Sequence, residues 1–322
     1  MKDFFDNILV AIKCLAYNHE PYIRECLEGF VMQKTNFRFV AIVHDDASTD
    51  KTADIIREYE AKYPEIIKPI YETENQYSKH DGSIGRIMNA AIDATGAKYV
   101  ALCEGDDYWT DPYKLQKQVD FLEEHEEYSM CFHRSKVLLE KMSEVYLNCF
   151  QIEDRDYGAT ELFQKWIVPT ASIVYRNTAP FPKLIASERI LNGDIVLVEK
   201  CAHVGLVRGI SEFMSVYRIQ YSGVTYNEEM SKNRTIRYPE HFEFIRDNFP
   251  KIDDRVVNIR ISSSYFDRAM VRDSMNLRFR DLKSSYKADK ITFFKCMSGM
   301  ISQFFGRNVK KITKFVAHSF RK

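Results

Sequence analysis

What this chain lacks narrows it first. It has no apolar run near the roughly 20 residues that a membrane-spanning helix needs, so it is not expected to cross a membrane. Neither GxGxxG nor GxxxxGK[ST] occurs anywhere in its 322 residues. The dinucleotide fingerprint and the P-loop are therefore both missing as ways to cradle phosphate. The seven cysteines, at 14, 26, 103, 131, 149, 201 and 296, include no CxxC pair, which argues against a zinc site. Their odd number, with no signal-peptide pattern at the start, predicts reduced thiols and a cytoplasmic setting. Net charge is zero, which speaks against a nucleic-acid binder. Low-complexity tracts and internal repeats are also absent.

What is present reads as globular. The chain is 45% hydrophobic and 29% charged, long enough for one large domain or two smaller ones. The charge is unevenly placed. Residues 291–322 hold seven Lys/Arg and no Asp or Glu, so the first 290 residues carry a net −7.

The most informative stretch is Lys98 to Leu115. Tyr99 to Cys103 is a short apolar run of buried-strand length. It stops at three carboxylates, Glu104, Asp106 and Asp107, with Gly105 between them. Asp111-Pro112 then predicts a helix start, with Asp111 as N-cap. Open α/β sheets bind ligands at the carboxyl ends of their strands. Carboxylates this close repel unless a cation or donor groups intervene. Oxygen-only ligands favour Mg²⁺ or Mn²⁺, which favour phosphate substrates.

The rest of the first half follows the same plan. Ile8 to Ile12 predicts a strand leading to Tyr17, and a helix follows from about Pro21. Phe39 to Val43 predicts a second strand, ending on Asp45 and Asp46. Helices carrying Ile55, Ile56 and Tyr59, and then Ile84 to Ile92, flank a strand near Ile66 to Tyr71; Gly96 reads as a C-cap. Strand–helix alternation with apolar, unalternating strands predicts a mostly parallel sheet covered on both faces. Tyr17, Asp45/Asp46 and Glu104/Asp106/Asp107 would then share one sheet edge. Phosphate charge would be met by metal and by Arg86.

Further on, Ile167 to Tyr175 reads as extended and Phe213 to Ile219 as a strand, with a turn at Ser222-Gly223. Gly193-Asp194 precedes a helical pattern, where Asp194 is either an N-cap or a general base. From about 226 the chain turns helical, over Glu240 to Asn248 and Asp254 to Lys287. The basic tail 291–322 puts Phe305, Val309, Ile312 and Val316 on one helical face. It either lies on an anionic bilayer or packs on the protein.

LAYNHEPYI, HDDASTDKT, CEGDDYWTDPYKLQKQVDFL, VPTAS and GDIVLVEKCAHVG leading to MSVYRIQ, in this order, resemble the family 2 glycosyltransferases. The style is that of bacterial enzymes building surface polysaccharides. The resemblance covers roughly residues 7–225 and implies a GT-A fold: α/β, with a Rossmann-like, mostly parallel sheet flanked by helices. Residues 1–225 would be the catalytic domain and 226–322 a helical C-terminal region. By the resemblance, Tyr17 stacks on uracil or another base, and Asp46 bonds the base edge with Asp45 beside it. Asp107 binds a Mn²⁺ or Mg²⁺ ion, Asp106 the ribose or the metal, and Glu104 fills the leading acidic position. Asp194 matches the base that deprotonates the acceptor hydroxyl.

There are two departures. Gln220 stands where many relatives have a His, and Arg86 is offset from the usual donor-contacting arginine. The implied activity is an inverting transferase. It moves a hexosyl or N-acetylhexosaminyl group from a nucleotide-diphosphate donor, a UDP-sugar, to a hydroxyl of a glycan or lipid-linked glycan. A polyprenol-phosphate sugar synthase of the same fold and a non-catalytic nucleotide-sugar scaffold are the alternatives. A nucleotidyltransferase would need a glycine- and basic-rich loop that LAYNHEP does not supply.

Overall fold

A computed structural model of the chain describes residues 8–79, 81–139, 144–146, 151–177, 188–220 and 228–300. It divides into two compact units, Met1–Asn227 and Glu228–Lys322.

The first unit opens with strand–helix alternation: β1 (Ile8–Ala16), α1 (Ile23–Val31), β2 (Arg38–Asp45), α2 (Thr52–Lys62), β3 (Ile67–Tyr71), α3 (Ser83–Thr95) and β4 (Tyr99–Leu102). The pattern then loosens into β5 (Tyr108–Trp109), α4 (Lys114–Glu124), β6 (Tyr128–Leu139), β7 (Glu144–Tyr146), α5 (Ala159–Lys165), β8 (Val174–Arg176), α6 (Gly193–Val204) and β9 (Leu206–Ile219). One nine-stranded sheet runs β3-β2-β1-β4-β8-β6-β9-β5, with β7 on β6. Ladders among β1 to β4 are all parallel. Past β4, β8 and β5 pair antiparallel, and only β6–β9 returns to parallel.

Side-chain alternation explains the layers. Val10, Ile12 and Cys14 of β1 pack with Ile23, Leu27 and Phe30 of α1, Ile56 and Tyr59 of α2, and Leu115, Val119 and Leu122 of α4. Met88 and Ile92 of α3, which packs on β1 and β2, are buried outside that cluster.

Several local expectations shift. The helix at Asp111-Pro112 starts later, at Lys114. Asp111 still opens the turn into it, its side chain accepting from Tyr113 N–H (2.8 Å) and its carbonyl from Lys114 N–H (3.2 Å), while the Pro112 carbonyl accepts from Lys34 N–H (2.8 Å). Ile167 to Tyr175 is not one strand. Ser172 N–H and Oγ–H both donate to Pro169 O, at 3.0 and 2.6 Å, and curl Thr170–Ser172 into a 3₁₀ turn.

In the second unit, α7 (Glu228–Asn248) begins earlier than expected. Asp254 to Lys287 is two helices, α8 (Asp254–Val271) and α9 (Met275–Ala288). The buried Arg268–Asp281 pair, 2.8 Å, ties α9 back against α8. The turn at Ser222-Gly223 and the tail face from Phe305 to Val316 lie outside the described residues. No helix among the described residues is long and apolar enough to cross a membrane.

Candidate active site

Because β1, β2 and β4 are parallel, their carboxyl ends share one edge. Three backbone bonds tie the loops there: Asp46 N–H to Ala16 O (2.9 Å), Gly105 N–H to Leu15 O (2.9 Å) and Cys103 N–H to Lys13 O (3.1 Å). The loops after β1 and β2 are also laced side chain to backbone. Asn18 N–H donates to Ser48 Oγ (2.9 Å), and Thr49 N–H to Asn18 Oδ1 (2.8 Å). His19 N–H donates to Thr52 Oγ1 (2.8 Å), and Glu20 N–H to Asp50 Oδ2 (3.0 Å). Asn18 and Ala47 sit in the left-handed region, at φ 54° and 59°. That is a costly backbone for residues other than glycine, held here by the lacing.

Tyr17 stands 45% exposed at this edge, leaving a ring face available. Asp45 and Asp46 are buried. Asp46 spends both oxygens on the chain after β3, accepting from Gln76 N–H (2.6 Å) and Tyr77 N–H (3.0 Å). Asp45 accepts only a long bond from Ser48 N–H (3.3 Å), and its Oδ1 is buried without a partner. His19 Nδ1 is also buried and unpartnered. Its ring feels the charges of Asp106, Asp50 and Asp45, while burial holds its pKa down. A Cβ on Gly105 would stand 2.8 Å from His19 Nδ1, so only glycine lets the acidic loop approach.

The acidic loop is pinned from β9. Asp107 is buried, and its Oδ1 accepts from Arg218 N–H (2.8 Å). Arg218 Nε donates to Asp106 O (2.9 Å), and its Nη2 pairs with Glu25 at 2.5 Å. Gln220 Nε2 donates to Asp106 Oδ2 (2.8 Å). Burial and the Asp106 charge push Asp107 well above the usual carboxylate range. Burial pushes Glu104 up to about 7; Asp106 and Asp194 reinforce this, and Lys13 opposes it. Lys13, half-buried on β1, is held below the usual lysine range by burial and feels Glu104 and Asp194 in return. Asp194, from α6, therefore lies within electrostatic reach of the acidic loop.

The N-cap of α6 is Asn192, which removes the N-cap reading of Asp194. Asp194 instead lies in the first turn and accepts from Ile195 N–H (2.9 Å). A carboxylate there is favoured by the helix dipole. Arg86 is placed differently from the rest. It is exposed on the first turn of α3 and donates to Asp81 O (2.7 Å).

No group of three or more His, Cys, Asp or Glu side chains among the described residues is arranged to hold a metal alone. The donor chemistry still fits a hard divalent cation. Asp106 and Asp107 are adjacent carboxylates whose mutual repulsion Arg218 and Gln220 offset only in part, since Asp107 stays raised, and Mg²⁺ characteristically takes one or two carboxylates plus substrate phosphates.

Sequence reasoning missed Arg218, Lys13 and His19. Arg218 lay inside MSVYRIQ, but its partners are 112 and 193 residues away. Lys13 offered a signal, a lone lysine inside an apolar strand.

Comparison with known proteins agrees with this geometry. An uncharacterized protein of Mycobacterium tuberculosis is 38% identical over 220 residues, covering 67% of this chain and 60% of that protein. The chain thus spans well under the full length of that relative. A putative teichuronic acid biosynthesis glycosyltransferase of Bacillus subtilis is 34% identical over 116 residues, 36% of this chain and 42% of its own. Staphylococcus aureus TarS, solved in complex with UDP-GlcNAc, shares the fold at a TM-score of 0.58 and 17% identity, covering 87% of this chain and 81% of that one. A Pyrobaculum calidifontis mannosyltransferase in complex with GDP-Man and Mn²⁺ does so at 0.52 and 16%, covering 95% and 83%. The family model for glycosyl transferase family 2 matches residues 14–175, which contain Tyr17, both aspartate clusters and the VPTAS turn, and the chain belongs to that family.

Proposed function

We propose that this chain is an inverting glycosyltransferase of cell-surface polysaccharide synthesis. It moves a hexosyl or N-acetylhexosaminyl group from a UDP-sugar to a hydroxyl of a glycan or lipid-linked glycan. The observation that carries the reading is the row of carboxylates after β2 and β4, tied to the end of β1 by backbone bonds on one sheet edge, with Asp194 of α6 near enough for Glu104 and Lys13 to feel its charge.

Tyr17 offers its ring to the base. Asp45, with its unpartnered buried oxygen, is better placed than Asp46 to accept an N–H from the base edge. Asp106 and Asp107 would hold Mn²⁺ or Mg²⁺, which supplies charge neutralisation for the departing diphosphate. Arg218 and Gln220 orient those two carboxylates. Asp194 takes the proton of the acceptor hydroxyl as its oxygen attacks the anomeric carbon, and the bond to the diphosphate breaks on the far side. The transition state is oxocarbenium-like, and one displacement inverts the anomer. The basic segment 291–322 contacts an anionic membrane, bringing the enzyme to a lipid-linked acceptor.

The test is turnover of a panel of UDP-sugars with a soluble acceptor, with and without Mn²⁺, and the product anomer read by NMR. Metal-dependent transfer with inversion is expected. Retention of configuration, or turnover indifferent to chelator, overturns the reading.

A further inference from the structure

Helix α9 is inside out for a protein surface. Its buried side is polar: Asp281 pairs with Arg268 at 2.8 Å, and Ser285 Oγ–H donates to Ser262 O at 2.8 Å. Among its apolar residues, Met275, Phe279, Leu282 and Tyr286 recur at helical spacing and fall on one stripe, while Leu277 lies off it and is half-buried. That stripe faces away from the buried side, with Met275 59% and Phe279 65% exposed. The helical segment 290–300 extends it with Ile291 and Phe294, each 61% exposed. The Tyr286 and Phe294 rings meet edge to face at 6.0 Å, and Lys290 Nζ lies 5.5 Å from the Tyr286 ring. A contiguous exposed apolar patch of this kind marks an interaction surface.

Its rim chooses the occupant. Lys283, Lys287, Lys290 and Lys295 are all exposed. Of the acids on 275–300, Asp281 is buried in its ion pair, and Asp289 accepts from Thr292 N–H at 2.6 Å. A second copy would set one lysine rim against another. An anionic lipid surface satisfies rim and stripe together.

We propose that Met275, Phe279, Tyr286 and Phe294, rimmed by Lys283, Lys287, Lys290 and Lys295, form a docking face for an anionic bilayer. This builds on the membrane contact proposed for 291–322, but begins the contact on α9, upstream of that segment.

The full chain is sedimented with vesicles of phosphatidylcholine alone and of equimolar phosphatidylcholine and phosphatidylglycerol. The wild type should pellet only with the anionic vesicles and be released by high salt. Met275→Ser/Phe279→Ser should lower that partitioning by about tenfold or more, with unchanged melting temperature, since both side chains are exposed. Lys310→Gln/Lys311→Gln/Lys314→Gln should weaken it less. If the stripe variant binds like wild type while the tail variant does not, the tail contact stands and the α9 face is refuted. A wild type that ignores both vesicles removes both. A dimer by light scattering that the stripe variant makes monomeric assigns the face to a second copy instead.

Discussion

The two sides of this sheet edge are built on opposite terms. On the β1–β2 side, most polar groups are satisfied: Asn18, His19 and Glu20 are cross-bonded through their backbones to the 48–52 loop, and Asp46 takes two backbone N–H groups, with Asp45 Oδ1 and His19 Nδ1 the exceptions. On the β4–α6 side, negative charge is crowded. Glu104 and Asp107 are both raised by burial and by neighbouring carboxylates, with Lys13 and Arg218 as the nearby cations. The first arrangement suits a rigid base-binding edge. The second is strained until a cation and a polar substrate arrive, as expected of a reacting centre.

The sharpest way to break this contrast is Asp194→Asn. If the crowded side is where chemistry occurs, kcat should fall by about 10²–10⁴-fold, the usual worth of a positioned general base. Donor Kd and melting temperature should hold, because Asn192 and not Asp194 occupies the N-cap. Wild-type turnover would move the base elsewhere, with Glu104 the next candidate.

Glu199, farther along α6, tests whether crowding or burial matters. It is buried, both its oxygens lack partners, and burial pushes it up to about 8. Its folded pKa lies above the unfolded one, so the unfolded chain gives up the proton first as pH rises. Wild-type stability from this group should therefore fall between about pH 4.5 and 8 and then level off. Glu199→Gln should be near neutral at pH 5 and stabilising by on the order of 3 kcal/mol at pH 9, read by urea denaturation. Parallel pH profiles for the two proteins would show that Glu199 has a partner after all.

Much of this was legible in the sequence, and the division follows the same line. Short apolar runs ending in carboxylates foretold β1, β2 and β4 and the shared edge, because parallel strands put their ends together. The β6–β9 half was legible only in part: Phe213 to Ile219 is the second half of β9, but β6 and its partners were not foreseen. Its long pairing, with two register irregularities near His133 to Ser135, leaves no local signature. Arg218 escaped notice for the same reason. The helix starts near Asp111 and Asp194 were each displaced by a few residues at most, because a capping residue type marks the region of a helix start and not its first residue.

Arg218 carries the pinning of the crowded side. Arg218→Met should lose roughly 1.5–3 kcal/mol, the worth of hydrogen bonds to charged groups, discounted because Glu25 is half exposed. It should also lower metal-dependent donor affinity. Unchanged donor binding with lost stability would make Arg218 a fold residue only. On the satisfied side, Tyr17→Ala should weaken donor and free UDP alike by about 1–3 kcal/mol if the ring stacks on the base. Stability should not move, since the ring is exposed. Equal affinities would remove the stacking.

Arg86 gives the smallest expected effect and the cleanest check on where the donor phosphates lie. The lack of a glycine loop made it a candidate for the phosphates despite its offset spacing, but its guanidinium turns to Asp81, and the pair is exposed, at 58% and 52% of side-chain area. An exposed pair of this kind contributes little. Arg86→Gln should therefore keep stability within about 0.5 kcal/mol. If the acidic loop and its cation meet the diphosphate, UDP affinity should change by less than about threefold, under ~0.7 kcal/mol. A loss of tenfold or more would mean that the donor draws Arg86 away from Asp81. The satisfied side would then share the phosphate charge, and the division between the two sides would fail at that point.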